Sequence, residues 1–198
     1  MILGTHNSGT GEKLVWWQRP FSFILNPMAK CQSRNIVQQL RDGVKLFNLQ
    51  VTRYNGRWVF SHGACIYDID LLDVIKLMKK HATEESPIYY QLYYDRNFLT
   101  GIRDIKAFEE LVSILKAYSK KGNVKLLYAW VEGTEKYPYI SRTKLDIAEH
   151  YWTFNWAKDK PWVDKLPLPK RHAKKYNKEY IENNKSQYLM LDFYEYKQ

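Results

Sequence analysis

The sequence has few cysteines and no long hydrophobic run, and each absence excludes a class of protein. Its two cysteines, Cys31 and Cys65, are too few for a disulfide framework, and no spacing of Cys and His resembles a zinc site. No apolar run approaches the roughly eighteen residues that a membrane-spanning helix needs. Residues 1–30 lack the apolar core and cleavage site of a signal peptide, so we expect a chain made in the cytoplasm, with release or peripheral membrane attachment as later options.

The composition predicts one globular domain with a basic surface. The 198 residues are 45% hydrophobic and 26% charged, which is typical of a folded chain rather than a disordered one. Lys and Arg number 31 against 21 Asp and Glu, and the net charge of +10 favours anionic partners such as phosphate esters and acidic lipid headgroups. Nucleic-acid binding would rest on this charge alone, so we expect no nucleic-acid partner.

Alternating strand and helix patterns predict an α/β fold with a largely parallel sheet. Apolar residues at helical spacing predict helices near Asn35–Asp42, Leu71–His81 and Ile105–Tyr118, and residues 158–185 are expected to form a loop and a short helix. A barrel of about eight strands needs two more than the six clear ones, which we place near Tyr137–Ile140 and Trp152–Trp156. The six are Ile2–Leu3, Val44–Val51, Trp58–Ser61, Ile88–Tyr94, Val124–Val131 and Tyr188–Phe193.

Three polar side chains follow predicted strands, at the end where α/β barrels hold their functional residues. His6 follows the first strand, His62 ends a later one, and Asp192 ends the last. In a closed barrel the last strand lies beside the first, so Asp192 would reach His6. A carboxylate that fixes one imidazole tautomer makes the imidazole a better base, and a second histidine across the site protonates a leaving oxygen.

Two histidines and a carboxylate therefore suit cleavage of a phosphodiester by an internal hydroxyl. The alternative for each histidine is a structural, hydrogen-bonded role, which we expect for His81, His150 and His172.

Several short motifs occur in a fixed order over residues 2–78, and one more occurs near the end of the chain. In this order they resemble the X domain of phosphatidylinositol-specific phospholipase C. The motifs are Ile2-Leu3-Gly4-Thr5-His6-Asn7-Ser8-Gly9-Thr10, then Gln32, Ile36, Gln39-Leu40 and Gly43-Val44-Lys45, then Leu46-Phe47-Asn48-Leu49-Gln50-Val51, Phe60-Ser61-His62-Gly63 and Leu191-Asp192-Phe193-Tyr194.

The resemblance implies a compact, distorted TIM-type (β/α) barrel over residues 1–198 and a phosphoric diester hydrolase or lyase. It implies that His6 is the general base on the inositol 2-hydroxyl, which attacks phosphorus. His62 would be the general acid towards the diacylglycerol oxygen, and Asp192 would orient the base. The products would be diacylglycerol and a cyclic inositol phosphate.

The chain departs from the family at positions that meet phosphate or metal. Bacterial members usually carry Asp where this chain has Asn7, and an Asp and an Arg where it has Asn48 and Gln50. Calcium-dependent relatives carry acidic residues on the second and fourth strands. Here Tyr93 aligns with the fourth-strand position, and Asp95 is the nearest carboxylate.

These departures define two overlapping sets of candidate residues. Hard cations prefer several oxygens with carboxylates among them, so the cofactor is either a weakly held Ca²⁺ or none. The candidate metal ligands are Asn7, Asn48, Gln50 and Asp95, and the candidate substrate-binding residues are Asn7, Asn48, Gln50, Lys45, Tyr93 and Arg96. With no arginine on the second strand, charge at phosphorus must be met by Lys45, Arg53, Arg96 or another cation.

Other interpretations stay open. One is a catalytically impaired relative that binds phosphoinositide, membrane or a protein partner, which Asn48 and Gln50 favour. A glycerophosphodiester phosphodiesterase is disfavoured because no acidic metal cluster lies near His6.

Two segments, one apolar and one basic, have two interpretations each. Trp16-Trp17 with Phe21 and Phe23 either contacts membrane or closes the barrel mouth, and Pro169–Tyr176 is either a lipid-facing patch or a solvated helix face.

Overall fold

Nine strands form one mixed sheet in the computed structural model, which describes residues 1–95, 97, 99–100, 103–131, 133, 139–140, 144–151, 157–158, 160 and 166–196. The predicted strand Trp152–Trp156 lies outside the described residues, and so does Arg96. The strands are β1 (Ile2–Thr5), β2 (Leu46–Tyr54), β3 (Arg57–His62), β4 (Cys65–Asp70), β5 (Ile88–Tyr94), β6 (Val124–Val131), β7 (Tyr139–Ile140), β8 (Ile147–His150) and β9 (Tyr188–Leu191).

The strand order is that of a barrel opened along one line. It runs β7-β6-β5-β2-β1-β9-β8, and the hairpin of β3 and β4 branches from β2. All neighbours from β6 to β8 are parallel, whereas β7, β3 and β4 pair antiparallel. Among the described residues β7 and β8 do not pair, so the sheet is open between them. The α/β class and the barrel-type strand order predicted from the sequence are confirmed.

The part of the chain that the structure describes contains five α-helices, which pack around the sheet. Two short 3₁₀ helices, Ser8–Gly11 and Trp16–Phe21, follow β1. Among the described residues, no helix is both long and apolar enough to cross a membrane. The helices are α1 (Ser22–Ala29), α2 (Ile36–Arg41), α3 (Leu71–His81), α4 (Ile105–Lys121) and α5 (Pro169–Asn183).

Local sequence signals explain most of these boundaries. Asn35 and Gln38 form a reciprocal capping box at the start of α2, and the Asp70 side chain caps α3. The predicted strand Val44–Val51 begins two residues later than expected, because the Val44 N–H is bonded to the Gln39 carbonyl at the end of α2. The helix expected to be short, α5, has fifteen residues.

Besides the two 3₁₀ helices, one α-helix and two strands were not predicted. Helix α1 contains Pro27, and apolar residues such as Phe23 and Met28 are exposed on it, so it has no one-sided apolar stripe. Strands β4 and β8 are short, and polar residues such as Glu149 interrupt the apolar pattern that predicts a strand. Strand pairing, rather than local preference, holds them in place.

Period two along the strands divides the interior of the sheet into layers. At the amino ends of the strands, Leu46, Leu127, Tyr188 and Met190 form a buried apolar cluster. On β2, the inward side chain two residues after Leu46 is Asn48, and the next inward side chain is Gln50. The interior is therefore closed by apolar side chains at one end and opens into a polar cleft at the other. The alternate side chains of β2, including Phe47 and Leu49, join the main core beneath the helices.

The turn after β1 is packed too tightly to accept a side chain. A Cβ added at Gly11 would lie 1.9 Å from the Arg34 carbonyl oxygen, which is backbone and cannot rotate away. A Cβ at Gly9 would lie 2.2 Å from the Phe60 ring. The segment that carries His6 is thus locked against α2 and β3.

We predict that Gly11→Ala destabilises the protein by about 3 kcal/mol or more, because backbone must move to relieve the overlap. Gly43→Ala is the control: its φ of +82° is strained for alanine, but its Cβ meets nothing within 4 Å, so we expect a cost of about 1–2 kcal/mol. Thermal unfolding should separate the two, at about 2–4 °C per kcal/mol. Equal melting temperatures would contradict this packing.

Candidate active site

A cleft of about 1200 Å³ opens at the carboxyl ends of the parallel strands. Inward positions of β2, β5 and β6 reach it directly, and His6 and Asn7 reach it from the turn after β1. This is the edge at which His6, His62 and Asp192 were predicted to meet. The main lining residues are His6, Asn7, Cys31, Asn48, Gln50, His62, Gln91, Tyr93, Tyr128, Trp130, Glu149 and Tyr151.

His6 and Asp192 form a direct pair across the first and last strands. The two lie 2.8 Å apart, Nδ1 to Oδ1, and Asp192 is fully buried. The His6 N–H also donates to the Leu191 carbonyl at 3.0 Å, and the Gln32 side-chain amide donates to both the His6 and the Leu191 carbonyls. With Nδ1 donating its proton to Asp192, Nε2 is the nitrogen left for a substrate.

The Asp192 backbone is fixed as firmly as its side chain. Asn177 on α5 donates to the carbonyls of Asp192 and Phe193 at 2.9 and 3.1 Å, and the Phe193 N–H donates to the Cys31 carbonyl at 2.7 Å. The carboxylate that orients His6 is thereby held by residues far apart in the sequence.

A relay of side-chain hydrogen bonds surrounds His6. The Tyr151 ring stacks on the His6 ring with centroids 3.6 Å apart and planes 3° from parallel. The Tyr151 hydroxyl donates to Glu149, which accepts in turn from Gln91 at 3.2 Å. Asn48 donates to Gln91 and accepts from the Asn7 N–H, which closes the relay beside His6. Burial, first of all, raises the pKa of Tyr151, so this ring is neutral over the physiological range.

His62 faces His6 from the end of β3. The two ring centroids are 6.5 Å apart, and the planes are nearly perpendicular. The Nδ1 atom of His62 lies 2.6 Å from the Ala29 carbonyl, which favours the tautomer with a proton on Nδ1. The structure therefore brings together the two histidines and the carboxylate, with space for a small reacting group between the rings.

The remaining candidates have different outcomes. Asn7, Asn48, Gln50 and Tyr93 line the cleft, as expected for substrate-binding residues. Lys45 does not: it precedes β2, at the amino end of the strand, because the helix-to-strand connection ends there and the cleft lies at the other end. Arg53 lies near the surface and pairs with Asp104.

The candidate calcium ligands do not fit a calcium ion. Asp95 is buried and its Oδ1 accepts from the Gln50 side chain at 2.8 Å, while the Asn48 oxygen accepts from the Asn7 N–H. Calcium takes six or more oxygens, whereas this set offers one carboxylate and three amides, and Asp95 Oδ1 and the Asn48 oxygen already accept hydrogen bonds. Among the described residues that line the cleft, there is also no Lys or Arg. The charges at this site are those of the carboxylates and of protonated histidine.

Several lining residues are not among those predicted from the sequence. Gln91 lies two residues before Tyr93 on β5, so period two was a usable signal for it. Glu149 and Tyr151 carry no such signal, because β8 itself was not predicted. Cys31 lies in the connection after α1 and reaches the cleft only through the tertiary fold.

Solved structures with a similar fold include bacterial phospholipases. No protein-family model and no curated protein matches this chain. A point mutant of the phosphatidylinositol-specific phospholipase C from Staphylococcus aureus is 15% identical, with a TM-score of 0.61 over 97% of this chain and 85% of that one. A double mutant of that enzyme is 12% identical, with a TM-score of 0.64 over 97% and 84%. The enzyme from Listeria monocytogenes is 15% identical, with a TM-score of 0.60 over 99% and 89%. The resemblance seen in the sequence is confirmed at the level of the fold.

Both thiols should be unreactive in the native protein. Burial raises the pKa of the Cys31 thiol well above its usual range, helped by the charge of Asp192, and burial raises the pKa of Cys65 to about 11. We predict reaction with a disulfide reagent at pH 8 at least about a hundredfold slower than for free cysteine, since so little thiolate is present. Both should react at the ordinary rate in urea. Rapid modification of the native wild type would contradict this burial.

Proposed function

We propose that this protein cleaves a phosphodiester by a phospholipase C-type reaction in which His6 and His62 transfer the protons. The observation that carries the proposal is the pair of imidazoles facing one another across a single cleft, with His6 held by buried Asp192. His6 Nε2 takes the proton of a hydroxyl on the headgroup, and that oxygen attacks phosphorus. The bond from phosphorus to the lipid oxygen breaks, and His62 supplies the proton that this oxygen needs. A cyclic phosphodiester and an alcohol result.

Asp192 makes this proton transfer favourable without accepting a proton itself. Its charge stabilises the imidazolium that forms on His6, and its hydrogen bond to Nδ1 keeps Nε2 directed to the substrate. The stacked Tyr151 ring prevents the imidazole from turning.

The wall of the cleft supports a ring-shaped polyol headgroup of the phosphatidylinositol type. Tyr93 and Tyr128 both pack against Trp130, with ring centroids 4.5 and 4.9 Å away, and all three line the cleft. Aromatic faces accept the C–H face of a cyclitol, while Gln91 and Glu149 offer hydrogen-bond partners to its hydroxyls. Phosphatidylinositol, whose inositol 2-hydroxyl is the nucleophile, is therefore the substrate we propose, with diacylglycerol and a cyclic inositol phosphate as products.

The rim of the cleft supports contact with an anionic membrane surface. Phe23, Ile24 and Met28 on α1 are each more than half exposed, and Ile24 and Met28 also line the cleft. A groove between α1 and α5 is lined by the cations Lys170 and Arg171 together with Phe23. Apolar side chains beside cations suit a lipid interface, and each well-placed cation contributes about 1 kcal/mol. Trp17, by contrast, is partly buried: it donates to the Tyr54 hydroxyl and packs against the apolar cluster of Val15, Val59 and Ile66.

One observation favours a second candidate, a protein that binds such a lipid without cleaving it. No Lys or Arg belongs to the described lining, so among the described residues the groups that can meet charge at phosphorus are the imidazoles and amides such as Asn48 and Gln50. Loss of one well-placed electrostatic donor costs about a hundredfold or more in rate. On the catalytic proposal, turnover is therefore slow.

The decisive experiment is cleavage of phosphatidylinositol in mixed micelles, followed by phosphorus NMR, with calcium and with chelator. We expect wild type to form the cyclic inositol phosphate in both conditions, and His6→Ala and His62→Ala to lose about a hundredfold to ten-thousandfold. A nitrophenyl ester of the inositol phosphate needs no general acid, so it should restore much of the rate of His62→Ala but not of His6→Ala.

His81→Ala is the matched control, because His81 is exposed at the end of α3, away from the cleft lining. Full activity of His62→Ala on phosphatidylinositol would overturn the general-acid role. A folded wild type that binds the micelles and forms no product would favour the binding protein.

A further inference from the structure

A cysteine that the proposed reaction does not use lies between its two histidines. Cys31 is 1% exposed and lies on the floor of the cleft, with Sγ 3.7 Å from Nδ1 of His62. The possible ligand atoms of His6, Cys31 and Asp192 all lie within 4.8 Å of one another. Sulfur, nitrogen and carboxylate oxygen at this spacing match the ligands that a zinc ion takes in proteins.

A second observation at the same place points to a cation. Asn7 is only 2% exposed, and its side-chain oxygen has no hydrogen-bond partner among the described residues. The nitrogen of the same amide donates to Cys31 Sγ at 3.6 Å, so the unsatisfied oxygen belongs to a group in contact with the thiol. Leaving a buried oxygen unpaired is unfavourable, and a cation bound here would satisfy it.

We propose that Cys31, His6 and Asp192 bind a thiophilic divalent cation such as Zn²⁺, with Asn7 as the neighbouring neutral oxygen, and that the bound cation inhibits the enzyme. The inhibition rests on the proposed function, whereas the binding does not. A calcium ion would not take this set, because a thiolate is a soft ligand.

The chemistry of binding explains the inhibition. The cation bonds to the Cys31 sulfur, and the thiol proton leaves to solvent, so one proton is released and no electron is transferred. The cation also takes Nδ1 of His6, whose proton now resides on Nε2 in the other neutral tautomer. An Nε2 that carries a proton cannot accept one from a substrate hydroxyl, and Asp192 no longer orients the ring. The general base is thus blocked without any change in the fold.

Co²⁺ tests the binding without reference to activity. When Co²⁺ is added to the wild type, we expect the near-ultraviolet charge-transfer band that a cobalt–thiolate bond produces, and Zn²⁺ should remove it. Cys31→Ser should lack the band. Cys65→Ser is the matched control, because Cys65 is the other buried thiol on the same cleft, and it should keep the band.

Activity and proton release complete the test. Zn²⁺ should inhibit cleavage by the wild type and by Cys65→Ser, and chelator should reverse the inhibition. Inhibition of Cys31→Ser should need at least about tenfold more Zn²⁺, which corresponds to about 1.4 kcal/mol of binding free energy. In weakly buffered wild type, one proton should be released for each Zn²⁺ bound, a result that needs no variant to fold. A cobalt band that survives in Cys31→Ser, or no band in wild type, would overturn the proposal. A band in a protein that cleaves no phosphodiester would support the metal site and contradict the proposed function.

Discussion

The parallel pairing of the last strand with the first is the constraint on which the site depends. Four successive pairs join β1 to β9, from Ile2 with Tyr188 to Thr5 with Leu191. His6 directly follows Thr5, and Asp192 directly follows Leu191. The register of backbone hydrogen bonds therefore brings their side chains within 2.8 Å, although the two residues are 186 positions apart. A shift of one residue would turn Asp192 to the outer face and leave its charge buried without the imidazole.

The same inward alternation determines where polar groups are buried. Along the strands, the inward-facing side chains first join the apolar cluster around Leu46 and Met190 and then line the cleft. Asn48 and Gln91 lie at the boundary between the two layers and satisfy one another at 2.9 Å. Buried amides are tolerated here because a partner stands opposite them on the neighbouring strand. This relay occupies the Asn48 oxygen, which disfavours the calcium site considered from the sequence.

The sequence predicts those parts whose signals are local. Helix α3 and strands β5 and β6 have the predicted bounds, because each combines a regular apolar pattern with a clear stop. The meeting of His6, His62 and Asp192 at one edge was predictable because functional residues of such folds follow strands, and the three residues do lie together. Glu149 and Tyr151 were missed because strand pairing places them in the cleft. Cys31 was missed because it lies in the connection after α1, a helix whose exposed apolar residues form no regular pattern. Lys45 was misplaced because charge alone does not say at which end of a strand a residue lies.

The tautomer of His6 shows whether Asp192 orients the imidazole for proton transfer. In protein carrying nitrogen-15 histidine, with His6 assigned by comparison with His6→Gln, the ring-nitrogen chemical shifts show which nitrogen of the neutral ring holds the proton. We expect a proton on Nδ1, bonded to Asp192, and an unprotonated Nε2 facing the cleft. A neutral His6 with its proton on Nε2 would exclude His6 as the general base, because that imidazole can neither donate to Asp192 through Nδ1 nor take a proton from a substrate through Nε2.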